Sequence, residues 1–182
     1  RRGRRLGAGR PPGAGVAGVV WGGRFTPGGG GGGGGDMGGY DVFHGEFLGA
    51  LDNIVAPFHA LLEPATCSVF LQRVCSYVCR QVSAHCRRKQ FNQQGALQFD
   101  GHVRALSEYF EERGVWQARH FASALQAQAA ILLCDSAAEG ERVWAQAQQA
   151  ALEGGEGGVP QWATEGPPFC ESVIKLRLDW AA

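Results

Sequence analysis

Eight consecutive glycines, Gly28 to Gly35, divide this 182-residue chain into two unlike parts. Residues 1–40 contain 18 of the 29 glycines and six arginines, but a single acidic residue, Asp36. A stretch of this composition loses more backbone entropy on folding than its few apolar side chains could offset. We therefore predict a disordered Gly/Arg-rich tail over residues 1–40 and one folded domain over residues 41–182.

The tail suggests several functions, and each lacks a feature that it needs. An arginine–glycine tail can bind RNA, but only two aromatic residues, Trp21 and Phe25, accompany the arginines. A transit peptide would contain serine, and a signal peptide would need a longer apolar core. Because the chain starts at Arg1 rather than at a methionine, we expect a fragment, with the tail as a linker or as mistranslated flanking sequence.

The charge of the folded part differs from that of the whole chain, whose net charge is zero. Residues 41–182 contain 11 basic and 16 acidic side chains, a net charge of −5. A mildly acidic domain is not expected to bind nucleic acid. No run of apolar residues approaches the roughly 18 that a membrane-spanning helix requires, so the sequence predicts no such helix.

Apolar residues recur at helical spacing through most of residues 43–178. The strongest stripe lies between Ala65 and about Lys89. Further helices are predicted over 43–62, from a cap at Asp100 to near Gly114, from Trp116 to Leu133, over 138–152, and from Pro167 to Leu178. The first of these helices should end or bend before Pro57. Residues 91–95 are predicted to form a connector, and residues 154–166 a loop. Hairpin signals are missing. The sequence therefore predicts an all-α, antiparallel helical bundle of about five or six helices.

Six cysteines and five histidines raise the question of a metal or nucleophilic site. Four of the cysteines fall within the strongest helix: Cys67, Cys75, Cys79 and Cys86. One straight helix cannot surround an ion tetrahedrally, because Cys79 and Cys86 lie about 10 Å apart by helical rise. Reduced cysteines that pack as small apolar residues, in a reducing cytosolic setting, explain the pattern better.

Other patterns typical of catalysis are also incomplete. The histidines show no metal-ligand spacing, and the neighbouring carboxylates of Glu111 and Glu112 diverge on a helix. The glycine run lacks the Gly-Lys-Ser/Thr of a phosphate-binding loop. We predict no catalytic residues, no cofactor and no metal site, and hence a protein that is not an enzyme.

A basic group closes the strongest helix: Arg80, Arg87, Arg88 and Lys89. It could contact anionic lipid headgroups or an acidic partner surface. The alternative, which we favour from the sequence, is solvated charge at a helix C-terminus, where cations interact favourably with the helix dipole.

Four segments, in order, resemble one family. They are similar to the C-terminal region of subunit 4 of the conserved oligomeric Golgi (COG) tethering complex. The segments are residues 52–57, residues 91–100 (FNQQGALQFD) with 103–106, residues 116–119 with 129–132, and residues 173–180 (VIKLRLDW). The resemblance covers roughly residues 46–180, and its departures include Ala118 in place of a bulkier aliphatic residue.

The resemblance implies a non-catalytic helical module of a subunit that acts in intra-Golgi retrograde vesicle transport. Its partners would be other COG complex subunits, and it would lie peripherally on the cytosolic face of the Golgi membrane. The family's structural ion pair would place Arg119 against an acid of the final helix, with Glu171 or Asp179 as candidates. In that case Arg119→Trp would destabilise the bundle.

Two other hypotheses stay open at this point. The chain could be a generic helical adaptor, unrelated to tethering, that binds a partner helix in a groove. It could also be an RNA-binding protein acting through its tail, in which case removal of residues 1–40 would abolish a strongly salt-dependent binding.

Overall fold

The computed structural model describes residues 43–153 and 159–180. The predicted tail at 1–40 and the first five residues of the predicted loop at 154–166 lie outside the described residues. The elements, in chain order, are a π-helical segment Phe43–Leu48, α1 Gly49–Leu61, α2 Pro64–Cys86, α3 Gln93–Glu112, α4 Ala118–Leu132, α5 Ala137–Glu153, α6 Gln161–Glu165 and α7 Pro167–Ile174.

The all-α prediction is confirmed. Over the two described ranges the chain forms seven α-helices and no strand, apart from an isolated bridge between Phe91 and Arg177. The helix beyond the predicted five or six is α6, a single short turn within the predicted 154–166 loop. Pro160 precedes α6 and its Trp162 is buried, so packing stabilises a turn that periodicity alone could not reveal.

The first helix was predicted to end or bend before Pro57. It does not end there, because α1 continues through the proline to Leu61. A proline within a helix removes a hydrogen bond to the carbonyl four residues earlier. That carbonyl belongs to Asn53, and both Asn53 and Pro57 are exposed, so water can hydrogen-bond the group instead.

The connector predicted at 91–95 and the cap predicted at Asp100 are also wrong. The third helix starts at Gln93, and the Asn92 side chain accepts a hydrogen bond of 2.8 Å from the Gly95 N–H. Ala96 and Phe99 are buried, and their burial supports the two additional turns. Asp100 lies inside the helix and pairs with Arg104 at 2.7 Å.

The core is arranged around α4, which contacts α2, α3, α5 and α7. Three small residues of α4 are fully buried and allow its neighbours to approach closely: Ala118, Ala122 and Ala129. The largest fully buried side chains are Phe99, Phe110 and Phe169. All six cysteines are free and buried, as the sequence predicted.

The last segment of the chain returns to the start of α3. α7 ends at Ile174 rather than near Leu178, and the chain then runs beside Phe91. The Phe91 N–H donates to the Leu176 carbonyl at 2.7 Å, and the Leu178 N–H donates to the Phe91 carbonyl at 3.0 Å. These bonds hold residues 176–178 against the bundle and bury Arg177.

Candidate interaction surface

Arg119 lies at the start of α4 and points to solvent, with 78% of its side chain exposed. Its Nε donates to a Glu111 carboxylate oxygen at 2.7 Å, and its Nη2 donates to the other at 3.3 Å. This pair raises the pKa of the Arg119 guanidinium. It spans only the turn between α3 and α4, so the structure corrects the expected pairing of Arg119 with the final helix.

The two acids suggested as partners of Arg119 lie elsewhere. Glu171 is exposed on α7, and within the described ranges no cation lies at ion-pair distance from it. Asp179 instead accepts two hydrogen bonds from Arg177, at 2.8 and 2.7 Å. These hydrogen bonds lower the pKa of the Asp179 carboxyl below its ordinary value.

Arg177 is the buried arginine of this fold, with 3% of its side chain exposed. Its Nη1 donates to the carbonyls of Leu132 and Cys134, where α4 ends and leaves carbonyls without helical partners. Its guanidinium also lies over the ring of Trp180, 4.8 Å from the centroid. Arg177 therefore joins the end of α4 to the last segment of the chain. This role of Arg177 was not predicted from the sequence, although an arginine between Leu176 and Leu178 is a signal for it.

A second ionic cluster joins α1 to the end of α3. The Arg113 guanidinium donates to Asp52 at 2.6 Å and stacks on the Tyr109 ring, 3.6 Å from the centroid. The Tyr109 hydroxyl donates to the same carboxylate at 3.2 Å. The hydrogen bond from Arg113 lowers the pKa of Asp52, whereas burial raises the pKa of Tyr109 to about 12.

The hairpin of α1 and α2 presents an apolar face to solvent. Its exposed apolar side chains are Ile54, Phe58, Leu61, Val69 and Tyr77. Phe58 also contacts the ring of Phe70 across the hairpin, with centroids 4.4 Å apart. Ile54, Phe58 and Leu61 follow one another at steps of four and three residues, so they lie on one side of α1, and this side is what we call the exposed apolar face of the hairpin. An exposed apolar face is typical of a surface that contacts another protein.

A cleft of about 480 Å³ lies between α2, α4 and α6. Arg80, Arg87 and His120 border it, and Phe121, Ala124 and Trp162 supply apolar lining. The Trp162 Nε1 donates to the Ser123 hydroxyl at 3.0 Å, and Arg87 approaches Glu165 at 3.6 Å. Both contacts fix α6 as one wall of the cleft.

Four of the thiols are poorly suited to nucleophilic chemistry. Burial raises the pKa of Cys86 to about 12 and that of Cys170 to about 11, and it also raises the pKa of Cys134. A hydrogen bond that the neutral Cys79 thiol donates to Cys75, together with burial, raises the pKa of Cys79. These thiols therefore stay protonated at neutral pH, and the thiolate is the nucleophilic form.

The described residues, 43–153 and 159–180, contain neither a metal-binding cluster nor a membrane-spanning helix. There, no three His, Cys, Asp or Glu side chains come together where they could hold a metal ion. No helix among the same residues is both long enough and apolar enough to cross a membrane.

Known protein families include one that this chain matches. The family model described as conserved oligomeric Golgi complex subunit 4, C-terminal, matches residues 36–161, more than two thirds of the chain. Neither a curated protein nor a solved structure matches. The matched range includes three of the four resembling segments, while residues 173–180, which contain Arg177, lie beyond it.

Proposed function

Since this chain belongs to the family of C-terminal regions of conserved oligomeric Golgi complex subunit 4, we propose that it is a non-catalytic structural and interaction module of a Golgi vesicle-tethering complex. It acts in intra-Golgi retrograde vesicle transport through contacts with other COG complex subunits. We further propose that it lies peripherally on the cytosolic face of the Golgi membrane, where the other subunits hold it.

The family match over residues 36–161 is the observation that carries this proposal. The exposed apolar face of the α1–α2 hairpin supports it, because a subunit of a larger assembly needs surfaces that neighbouring proteins can cover. The raised pKa values of the buried thiols support a non-catalytic role, because protonated thiols are weak nucleophiles.

The proposal is tested by affinity capture with the full 182-residue chain as bait in a cytosolic extract, followed by mass spectrometry. We expect recovery of other COG complex subunits. Leu61→Lys should reduce this recovery, because it puts a charge on the exposed apolar face of the hairpin. Leu152→Lys, at an exposed apolar position on α5, is the matched control and should leave recovery unchanged.

Recovery of no COG subunit, from bait that circular dichroism shows to be folded and helical, would contradict the tethering function. The chain would then be assigned to the alternative class, a helical adaptor that binds a partner helix without a role in tethering. Equal recovery with both lysine variants would instead show that the subunits contact a different surface.

A further inference from the structure

Three arginines follow one another at seven-residue intervals: Arg73 and Arg80 on α2, and Arg87 at its C-cap, where the backbone is still helical. Seven residues make almost two helical turns, so these side chains lie on one face at steps of about 10 Å. All three are exposed. Among the residues that the structure describes, no carboxylate pairs with Arg73 or Arg80, whereas Arg87 approaches Glu165. We call these three residues the arginine stripe.

Two members of the arginine stripe border the cleft between α2, α4 and α6, and the third, Arg73, lies beyond it along α2. Arg80 and Arg87 belong to both, and His120 adds a titratable side chain from α4. Across the cleft, Phe121 and Ala124 are half-buried, so apolar surface remains open to a ligand. The site therefore combines a row of cations with an apolar cleft that is large enough for one or two side chains.

We propose that the cleft and the arginine stripe bind an acidic, amphipathic helical segment of a partner protein. Carboxylates repeated every seventh residue on such a helix would match the steps of the stripe, and an apolar side chain beside them would enter the cleft. Local charge complementarity favours this occupant, because Arg73 and Arg80 are exposed and no carboxylate of the described residues pairs with either. A local basic row on an acidic domain attracts acidic partners and repels basic ones.

Two other polyanions fit the site less well. An anionic membrane would be repelled by the net charge of residues 41–182, and the Trp162 ring that could enter a bilayer is already buried against α4. Nucleic acid would be repelled by the same net charge. A folded acidic helix contacts the stripe locally without bringing a long row of phosphates against the acidic faces.

The inference rests on the proposed function only in that both treat the chain as a binding module. Its test measures fluorescence anisotropy of a labelled helical peptide of roughly 20 residues, with glutamate at every seventh position and leucines beside it. The probe is mixed with the full chain at low and at high salt. We expect it to bind, to bind less tightly at high salt, and to bind better than its counterpart with lysine in place of glutamate.

Charge reversal separates the stripe from other basic residues. The double variant Arg73→Glu/Arg80→Glu should bind the acidic peptide roughly tenfold more weakly. Arg142→Glu, an exposed position on α5 outside the cleft, should stay within about twofold of the unmodified chain. Circular dichroism and thermal unfolding should be unchanged in all variants, because each altered side chain is exposed.

Equal binding of the acidic and basic peptides, or unchanged binding by the double variant, would overturn the inference. The inference would also be overturned if the peptide did not bind, and phosphatidylserine vesicles or single-stranded RNA bound instead in a way that depends on Arg73 and Arg80. Capture of COG subunits together with any of these results would leave the proposed function standing. If COG subunits were not captured but the peptide still bound in a way that depends on the arginine stripe, the proposed function would fail and the peptide-binding inference would stand.

Discussion

Arg177 and Arg119 carry the same charge in very different surroundings. Arg177 is buried, and its guanidinium is shared among the Asp179 carboxylate and the carbonyls at the end of α4. Arg119 is 78% exposed and pairs with Glu111 across one turn. A buried charge must keep all its partners to offset the loss of water, whereas water can replace the partner of an exposed one.

We therefore expect Arg177→Ala to lower the free energy of unfolding by about 3 kcal/mol, because the carbonyls of α4 and Asp179 lose their donor. Arg119→Ala, the matched control, should cost less than about 1 kcal/mol. The same exposure argues that Arg119→Trp has a similarly small effect. Urea unfolding followed by circular dichroism measures all three. Equal losses for Arg177→Ala and Arg119→Ala would refute this assignment.

The Asp52–Arg113 cluster predicts how stability responds to acid. The Arg113 hydrogen bond lowers the pKa of Asp52 in the folded state, so this contact stabilises the fold above the unfolded pKa and is lost as the pH falls below about 4. The melting temperature should therefore fall in that range. Asp52→Asn should melt lower at neutral pH and show a smaller further fall in acid. A parent and a variant with parallel pH profiles would contradict the prediction.

At the scale of the element, the start of α3 shows how packing extends a helix beyond its local signals. Asp100 lies ahead of an apolar run and has the character of a cap, but the helix starts at Gln93, two turns earlier. Asn92 supplies the capping oxygen, and the buried Ala96 and Phe99 stabilise the added turns. Packing determines where the helix starts, and the residue just before that start acts as the cap.

Asn92→Ala should consequently destabilise the protein by about 1 kcal/mol, because the Gly95 N–H loses its acceptor. Asp100→Ala should cost less than about 0.5 kcal/mol, because it removes only a pair with Arg104 along the same helix. Thermal unfolding of the two variants side by side provides the measurement. A larger loss for Asp100→Ala would restore Asp100 as the cap.

Across the whole molecule, the last segment of the chain holds together parts that are distant in sequence. Residues 176–178 exchange backbone hydrogen bonds with Phe91, ahead of α3, while Arg177 binds the end of α4. The ends of two central helices thus depend on the six described residues that follow α7, residues 175–180. A fold of this kind should unfold as one unit, because its stabilising contacts cross element boundaries.

A chain that stops after Ile174 should lose at least as much stability as Arg177→Ala, about 3 kcal/mol or more, because it also loses the Leu176 side chain and both backbone bonds to Phe91. Urea unfolding, followed by circular dichroism and tryptophan fluorescence, measures the change. Removal of residues 1–40 is the control, since the composition of that stretch predicts no part in the core. An unchanged midpoint for the shortened chain would show that this segment is dispensable.

Some features of this protein were determined by the sequence alone. The all-α class and the buried cysteines followed from apolar residues at helical spacing, because that period is a property of neighbouring residues on one helix. Four segments in the order of the family were enough to indicate the family, which the match to the family model over residues 36–161 then established. These features do not depend on predicting the helix ends to within a few residues.

Only the tertiary structure decided which charged groups meet. Arg119 bonds Glu111, and Asp179 bonds Arg177, because the path of the chain after α7 brings residues 176–180 to the end of α4. Likewise, Arg80 and Arg87 border a cleft only because α6 packs against α2 and α4. An ion pair or a cleft depends on distances between elements, and local periodicity contains no information about those distances.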